Sequence, residues 1–288
     1  MTGWAELFCG IRRPGFPGGG LSSANNLMID LHCHPLPGVD DGAKNMEVAM
    51  AMCRMAAADG ITHLVATPHS NYKYRYDRQA NAARLAELQA AVGSEIKLLL
   101  GCDFNLSFDN LQLLAQNARD FTINGTSYLL VEFAEFFIPD QMENVLYEIE
   151  VSGLTPILTH PERNPVFQRK PDLLATWASR GYLVQVTAKS LTGGFGTKAQ
   201  RLAEDWLTAN LIHFFATDAH DLNYRPPVLS ECYQKVAGLR GKEIAEMLIR
   251  QNPQAVIEGR SLPPSLPPPE PKPASAKKGW FSFFRRRG

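Results

Sequence analysis

The sequence has no CxxC pair. Its five cysteines, Cys9, Cys33, Cys53, Cys102 and Cys232, are scattered and odd in number. That pattern excludes a disulfide framework and a cysteine-based zinc site, and it points to a reducing cytoplasm. No apolar run is long enough to cross a bilayer. Residues 1–27 hold two arginines but no apolar stretch of signal-peptide length, which argues against secretion. Excess charge is missing too. Twenty-nine basic residues balance 29 acidic ones, so no whole-chain field favours nucleic acid.

The balance conceals an uneven distribution. Residues 261–288 carry six Lys or Arg against one acid, +5, and residues 1–27 carry Arg12 and Arg13 against Glu6, +1, leaving 28–260 at −6. Three segments follow. Residues 1–27 contain RRPGFPGGGLSS, a flexible leader expected to be dispensable, because Met28 opens the first apolar run. Residues 28–260 form the folded body. Residues 261–288 begin with SLPPSLPPPEPKPAS, extended and unable to pack a core, and end in AKKGWFSFFRRRG. In that tail, 277–288 suit either an anionic membrane surface or a disordered contact with a partner.

What is present is ordinary globular composition, 45% hydrophobic and 20% charged over 288 residues. Short apolar runs alternate with longer helical patterns from residue 27 onward. The strand candidates are 27–32, 63–67, 97–103, 128–133, 156–160, 183–187 and 213–218, apolar on both faces as buried parallel strands are. Helices are predicted over 45–60, 78–93, 108–118, 141–153, 171–181 and 197–210, several ending at Gly60, Gly93, Gly153 or Gly181. Sevenfold alternation of strand and helix means an α/β fold with a parallel sheet, open or closed into a barrel.

The polar residues choose between those forms. A doubly wound sheet concentrates function at one switch point, whereas a barrel gathers it from nearly all strand ends. Six of the seven strand ends carry a potential metal ligand: His32 and His34, His69, Asp103, Glu132, His160, and Asp218 with His220. A closed or nearly closed barrel is expected.

Each motif alone is weak. LHCHPLPGVDDG (31–42) places two histidines on one side of a strand, where they could grip one ion. Its Asp41 also suits a plain turn. ATPH (66–69) and LTHPE (158–162) are unremarkable alone, and ATDAH (216–220) repeats the His spacing with a carboxylate first. Their joint placement carries the weight. Five of seven histidines fall at predicted strand C-termini or just beyond; His63 and His213 lie near strand starts and are assigned structural roles.

With Asp41, the set comprises nine groups, five imidazoles and four carboxylates. That suits two or three divalent ions, Mn, Fe or Zn. Three such ions against four carboxylates leave a formal +2, which attracts a dianionic phosphate. Metal-bound water ionises near pH 7, so hydrolysis of a phosphate ester is the chemistry indicated. Arg163 and Arg225 lie just beyond ligand-bearing strand ends, and an arginine fork binds two phosphate oxygens.

Taken in order, MIDLHCHPLPGVDDG, ATPH, the acid after LLLG, YLLVEF, ILTHPER and ATDAHDLNYRPP resemble the polymerase and histidinol phosphatase (PHP) superfamily. They are most similar to its capsular-polysaccharide tyrosine-phosphatase branch, from about Met28 to residue 259. The resemblance implies a distorted seven-stranded (β/α) barrel of PHP type holding up to three metals, often manganese. His32, His34 and Asp218 would hold the first ion, Glu132 and His160 the second with Asp103 bridging, and Asp41, His69 and His220 the third. The family pattern has glutamate at the position of Asp103. A shorter side chain there would change metal spacing and preference.

The mechanism expected is attack of a metal-bridging hydroxide on phosphotyrosine, with Arg163 and Arg225 holding the equatorial oxygens. Cys33 should point away from its histidine neighbours. The resemblance also implies a phosphotyrosine-bearing protein as partner, a membrane-attached bacterial tyrosine kinase governing capsule or exopolysaccharide synthesis. Tyr72 and Lys73, in SNYKYRYDR just after His69, are candidate peptide contacts. Two alternatives remain open: a small-molecule phosphomonoesterase such as histidinol phosphatase, and a non-catalytic scaffold stabilised by metal.

Overall fold

Runs rich in Leu, Val, Ile and Phe, bounded by Gly, Pro and Asn, become parallel strands screened by helices. The structure, a computed structural model, describes residues 27–263. The leader expected over 1–27 (Leu27 apart), most of the 261–288 segment and the proposed membrane contact at 277–288 lie outside the described residues.

Nine strands are present among the described residues: β1 Met28–Cys33, β2 Ile61–Ala66, β3 His69–Ser70, β4 Lys97–Leu100, β5 Asp103–Asn105, β6 Tyr128–Glu132, β7 Thr155–Thr159, β8 Leu183–Thr187 and β9 Phe214–Ala216. They form two sheets, ordered β1-β2-β4 and β3-β5-β6-β7-β8-β9, and every pairing is parallel.

The expected count of seven is therefore corrected to nine strands in two sheets, and the cause is local. Pro68, which has no N–H for a ladder, separates β2 from β3, so His69 opens a strand of its own. The strand predicted over 97–103 breaks at Gly101 and Cys102. A Cβ on Gly101 would lie 3.1 Å from Val65 Cγ1 and 3.2 Å from Thr67 Cγ2, so the chains approach closely there. Hydrogen bonds continue across both breaks: the Gly101 amide donates to the Ala66 carbonyl at 2.8 Å and that of Asp103 to Pro68 at 3.2 Å. At the other side of the fold, the Asp218 amide donates to His32 O at 2.8 Å and the His34 amide to Ala219 O at 2.9 Å. Chain beyond β9 is thereby laid along β1.

The predicted helices appear as α1 Met46–Asp59, α2 Arg78–Val92, α3 Phe108–Gln116, α4 Met142–Val151, α6 Pro171–Ser179 and α8 Gly196–Thr208. Short helices α5 Pro165–Arg169 and α7 Ala188–Leu191 lie between them, and α9 Ser230–Arg240, α10 Lys242–Glu246 and α11 Asn252–Ile257 follow β9. Caps explain the boundaries. Asn45, Asp77 and Ser107 accept the amides of Val48, Ala80 and Asn110 at the starts of α1, α2 and α3. Gly60 ends α1 at φ 97°, a conformation glycine adopts freely.

An inner apolar cluster takes Ile29 and Leu31 from β1, Val65 from β2, Leu99 from β4, Leu130 from β6, Ile157 from β7 and Phe214 from β9; Val256 and Ile257 of α11 join it. The larger cluster lies between strands and helices. Apolar side chains thus fill the interior, and the polar groups are left at the C-terminal strand ends.

Candidate functional site

His32 and His34 converge. Their Nε2 atoms lie 3.2 Å apart, and each is 3.4 Å from Asp218 Oδ1. Three donor atoms therefore face one point, an arrangement that an ion of like coordination would satisfy. The opposite ring nitrogens are held from outside. His32 Nδ1 meets Gln185 Oε1 at 2.9 Å, and His34 Nδ1 meets Asp40 Oδ2 at 2.7 Å. Outer partners of this type fix the ring and its tautomer. Cys33, between the two histidines, has its buried Sγ against the Ala219 carbonyl at 3.7 Å. Burial, with Asp30 and Cys53 nearby, holds its thiol well above the usual range.

Asp103 occupies the centre. Its Oδ2 is 3.1 Å from His69 Nδ1, 3.5 Å from His32 Nε2 and 4.0 Å from His160 Nε2. Both carboxylate oxygens are buried without a hydrogen-bond partner. A buried carboxylate left so is costly unless a cation serves it, so the residues fit a metal. Burial alone would raise the pKa of Asp103, but the surrounding imidazoles, His32 foremost, outweigh it and hold the carboxyl well below its ordinary value.

Two of the imidazoles register the same field, whereas burial and the neighbouring His34 lower the pKa of His220 to about 4. Burial works to lower the pKa of His32, yet Asp103 and Asp218 raise it to about 9. His69 is raised to about 11 against the same opposing effect of burial, by Asp103 and Asp41. Positive charge is favoured beside Asp103.

The nine residues singled out in the sequence come together in overlapping groups: His34, Asp41, His69 and His220; His32, His34 and Asp103; His32, His160 and Asp218; His69, Asp103 and Glu132. In the first, Asp41 Oδ1 stands 3.4 Å from His69 Nε2 and 3.5 Å from His220 Nε2. Glu132 groups with His69 and Asp103, and it is 3.8 Å from His160 Nε2. Asn105 Nδ2 donates to its other oxygen at 3.3 Å.

Two of the nine candidates leave their strands through a left-handed backbone, His160 at φ 35° and Asp218 at φ 50°. Non-glycine residues seldom adopt it, and such strain concentrates at functional sites. Gly42 is fixed for a different reason: a Cβ there would sit 2.1 Å from the His34 carbonyl oxygen. The glycine in VDDG lets that turn lie flat against the ligand strand.

Both arginines arrive at this centre. Arg163, from the 3-10 turn Pro161–Arg163, and Arg225, from the loop after β9, each donate to Asp218 Oδ2. Arg163 Nη1 also reaches Thr187 Oγ1 at 3.3 Å. Burial opposes its charge, but Asp218 and Glu162 outweigh that and keep its pKa above the ordinary value.

The remaining candidates stand apart from the ligands. Tyr72 is fully exposed, and Lys73 Nζ lies over the Tyr74 ring at 4.6 Å. It is Tyr74 that stacks on His69, with ring centroids 6.0 Å apart and planes at 14°. At the opposite end, His213 Nδ1 accepts the Val184 amide at 3.2 Å, and His63 Nδ1 is 3.0 Å from Thr62 Oγ1. Both belong to the scaffold.

Sequence reasoning missed Asp40, Gln185, Asp30, Glu162 and Phe195. A signal existed for two. Gln185 is the lone amide in the apolar strand LVQVT, and Asp30 is the lone acid in LMID. The Asp30 carboxylate accepts Thr217 N–H at 2.9 Å, Thr217 O–H at 2.5 Å and His32 N–H at 3.3 Å. It thus ties β1 to the chain leaving β9.

The sequence and the fold match known proteins. The family described as capsular polysaccharide synthesis, CpsB/CapC, matches residues 28–258. A putative tyrosine-protein phosphatase CapC of Staphylococcus aureus is 32% identical, covering 89% of this chain and all of the relative. The tyrosine-protein phosphatase YwqE of Bacillus subtilis is 31% identical, with the same coverage. A solved structure from work on Bacillus subtilis YwqE and Streptococcus pneumoniae CpsB, described there as metal-dependent tyrosine phosphatases, superimposes with a TM-score of 0.78. It is 31% identical over 84% of this chain and 98% of its own. The chain belongs to the CpsB/CapC family of capsular polysaccharide synthesis proteins.

Proposed function

We propose that this protein is a metal-dependent protein-tyrosine phosphatase. The observation that carries the reading is the meeting of two guanidiniums, Arg163 and Arg225, with the imidazole–carboxylate cluster at Asp218. The two sheets are read as one distorted PHP-type barrel, with residues 28–260 as the catalytic body.

Two to three divalent ions, manganese foremost and iron or zinc as alternatives, fit the donors around Asp103. His32, His34 and Asp218 would hold one, Glu132, His160 and Asp103 another, and Asp41, His69 and His220 a third. Ions there supply Lewis-acid activation of water near neutral pH. The chain's own residues do the rest. Gln185 and Asp40 keep the Nε2 atoms of His32 and His34 turned inward. Arg163 and Arg225 bind phosphoryl oxygens and hold the phosphorus against the cluster, with their forks matched to its geometry. Charge building on those oxygens is met by guanidiniums already in place. A tyrosine phenolate, with a pKa of about 10, departs without strong general-acid help. No phosphocysteine step is needed.

The substrate is a phosphotyrosine-bearing protein, read as a membrane-attached bacterial tyrosine kinase of capsule or exopolysaccharide synthesis. Tyr72 and Lys73 lie between His69 and Tyr74 in the chain, and they are read as contacts for an extended peptide. Among the described residues no helix is long and apolar enough to cross a membrane. A cytoplasmic protein meeting the membrane through 277–288 accords with that.

The test is turnover by purified protein loaded with Mn, Fe or Zn in turn, on a phosphotyrosine peptide and on histidinol phosphate. The proposal expects metal-dependent release of phosphate from the peptide at much higher kcat/KM. Preference for histidinol phosphate would transfer the chain to small-molecule hydrolysis, and no turnover with any metal would end the catalytic reading.

A further inference from the structure

Phe195 is absent from every motif above, yet both site arginines lie on its ring. The Arg163 guanidinium carbon is 4.5 Å from the ring centroid and that of Arg225 is 5.8 Å. Both distances fall inside the range in which an aromatic quadrupole attracts a cation. These arginines come from different loops, one after β7 and the other after β9. Phe195 comes from a third, between α7 and α8, after β8. That strand end was the single one of seven to offer no ligand in the sequence.

The loop is shaped to present this ring. Gly193 and Gly196 have φ of 94° and 87°. The Gly194 amide donates to Lys189 O at 2.8 Å and that of Gly193 to Ser190 O at 3.1 Å. A Cβ on Gly194 would lie 2.4 Å from carbons of the Lys189 side chain, so the lysine stem passes where only glycine leaves room. Its Nζ donates to the carbonyl of Tyr224, the residue before Arg225, and sits over the Tyr224 ring at 4.5 Å. Two links therefore run from the loop after β8 to the arginine loops: Phe195 to both guanidiniums and Lys189 to the backbone beside Arg225. Arg225 has reason to need support, because its Nε is buried without a partner.

We infer that Phe195 is a positioning residue that holds Arg163 and Arg225 as a pair, so that both forks meet one phosphoryl group. Two long cationic side chains repel each other and lose rotamer freedom when ordered. A shared aromatic face offsets both effects without itself occupying an N–H donor. The inference rests on the arginines being the phosphate-binding groups of the proposed phosphatase.

The experiment uses full-length Mn-loaded protein and the variants Phe195→Leu, Phe195→Trp, Arg163→Ala and the double variant Phe195→Leu/Arg163→Ala. Inorganic phosphate binding is measured by calorimetry, and kcat and KM on a phosphotyrosine peptide are measured separately. Metal content and thermal midpoint control for folding. Phe195→Leu should weaken phosphate binding and lower kcat/KM by about 3- to 30-fold, with metal content unchanged. Phe195→Trp should restore both to within about threefold of the parent. Adding Phe195→Leu to Arg163→Ala should cost clearly less than it does in the parent, since one of its two partners has gone. Unchanged phosphate affinity in Phe195→Leu, equal losses in both backgrounds, or failure of tryptophan to restore would each overturn the inference. Phosphate binding is read independently of turnover. A protein inactive on phosphotyrosine would therefore defeat the functional proposal and still leave this one decided.

Discussion

Asp40 Oδ2 lies 2.7 Å from His34 Nδ1 and also accepts the His69 amide at 3.2 Å. One carboxylate thus orients His34 on β1 and fixes the backbone of His69 on β3. Its other oxygen accepts the Gly42 amide at 3.0 Å. Burial alone would raise its pKa, but His34 outweighs it and brings the value down to about 2.

That relationship separates the roles of two adjacent acids. Asp41 joins the cluster of His34, His69 and His220 that could hold an ion, and Asp40 orients His34 within it. Asp40→Ala should lower metal affinity by about 10- to 100-fold, read by competition with a chelating dye, while the fold persists. Affinity equal to that of the parent would remove Asp40 from the account.

Gly42→Ala tests the same turn by steric means. A methyl group at 2.1 Å from the His34 carbonyl cannot be accommodated without moving backbone. The expected result is a loss of about 2–4 kcal/mol in stability, with weakened metal binding, measured by denaturant unfolding and metal titration. Unaltered behaviour would show that the turn is free to shift.

Glu162 is wholly buried. Its Oε1 accepts the Ser190 hydroxyl at 2.6 Å and the Thr187 amide at 3.1 Å, and burial raises its pKa. The carboxyl serves as an acceptor that locks the turn bearing Arg163 onto β8. Glu162→Gln keeps that acceptor and should change stability by less than about 1 kcal/mol. Glu162→Leu leaves two buried donors unpaired and should cost about 2–4 kcal/mol. Equal losses in urea unfolding would show that the charge, not the acceptor, matters.

His213 supplies a pH dependence remote from the metal ligands. Burial lowers its pKa to about 4, beneath the unfolded value of about 6.5. As pH falls, the unfolded chain takes up this proton first. The stabilisation is therefore complete above pH 6.5 and is lost on descent toward pH 4. Between pH 7.5 and 5, metal-free protein should lose on the order of 1–2 kcal/mol through this group. His213→Gln, which retains an acceptor for the Val184 amide, should abolish that part of the slope. An identical slope in the variant would assign the acid sensitivity elsewhere.

Much of the site was legible because its residue types are conspicuous and strand ends are easy to place. His32, His34, His69, His160, Asp218 and His220 sort to one end of the strands in the sequence and lie together in the fold. The broken strands were less legible. Beyond Pro68 and Gly101 the chain re-enters the sheet only as His69–Ser70 and Asp103–Asn105, too short and too polar to show as separate apolar runs, so periodicity alone counts two strands where four exist. Orienting groups were hidden for another reason. Asp40, Gln185 and Glu162 act through partners up to 153 residues away in sequence, and a lone amide or acid carries no spacing to read. Phe195 gave no signal at all, since an aromatic in a glycine-rich turn has many uses and its two cations come from other loops.

The most direct measurement is anomalous diffraction from crystals of the Mn-loaded protein. The account predicts two or three peaks between the imidazoles and carboxylates, one of them reached by His32, His34 and Asp218 together, with Arg163 and Arg225 beside the cluster. Peaks confined to other surfaces, or those side chains free of metal at saturating manganese, would contradict it.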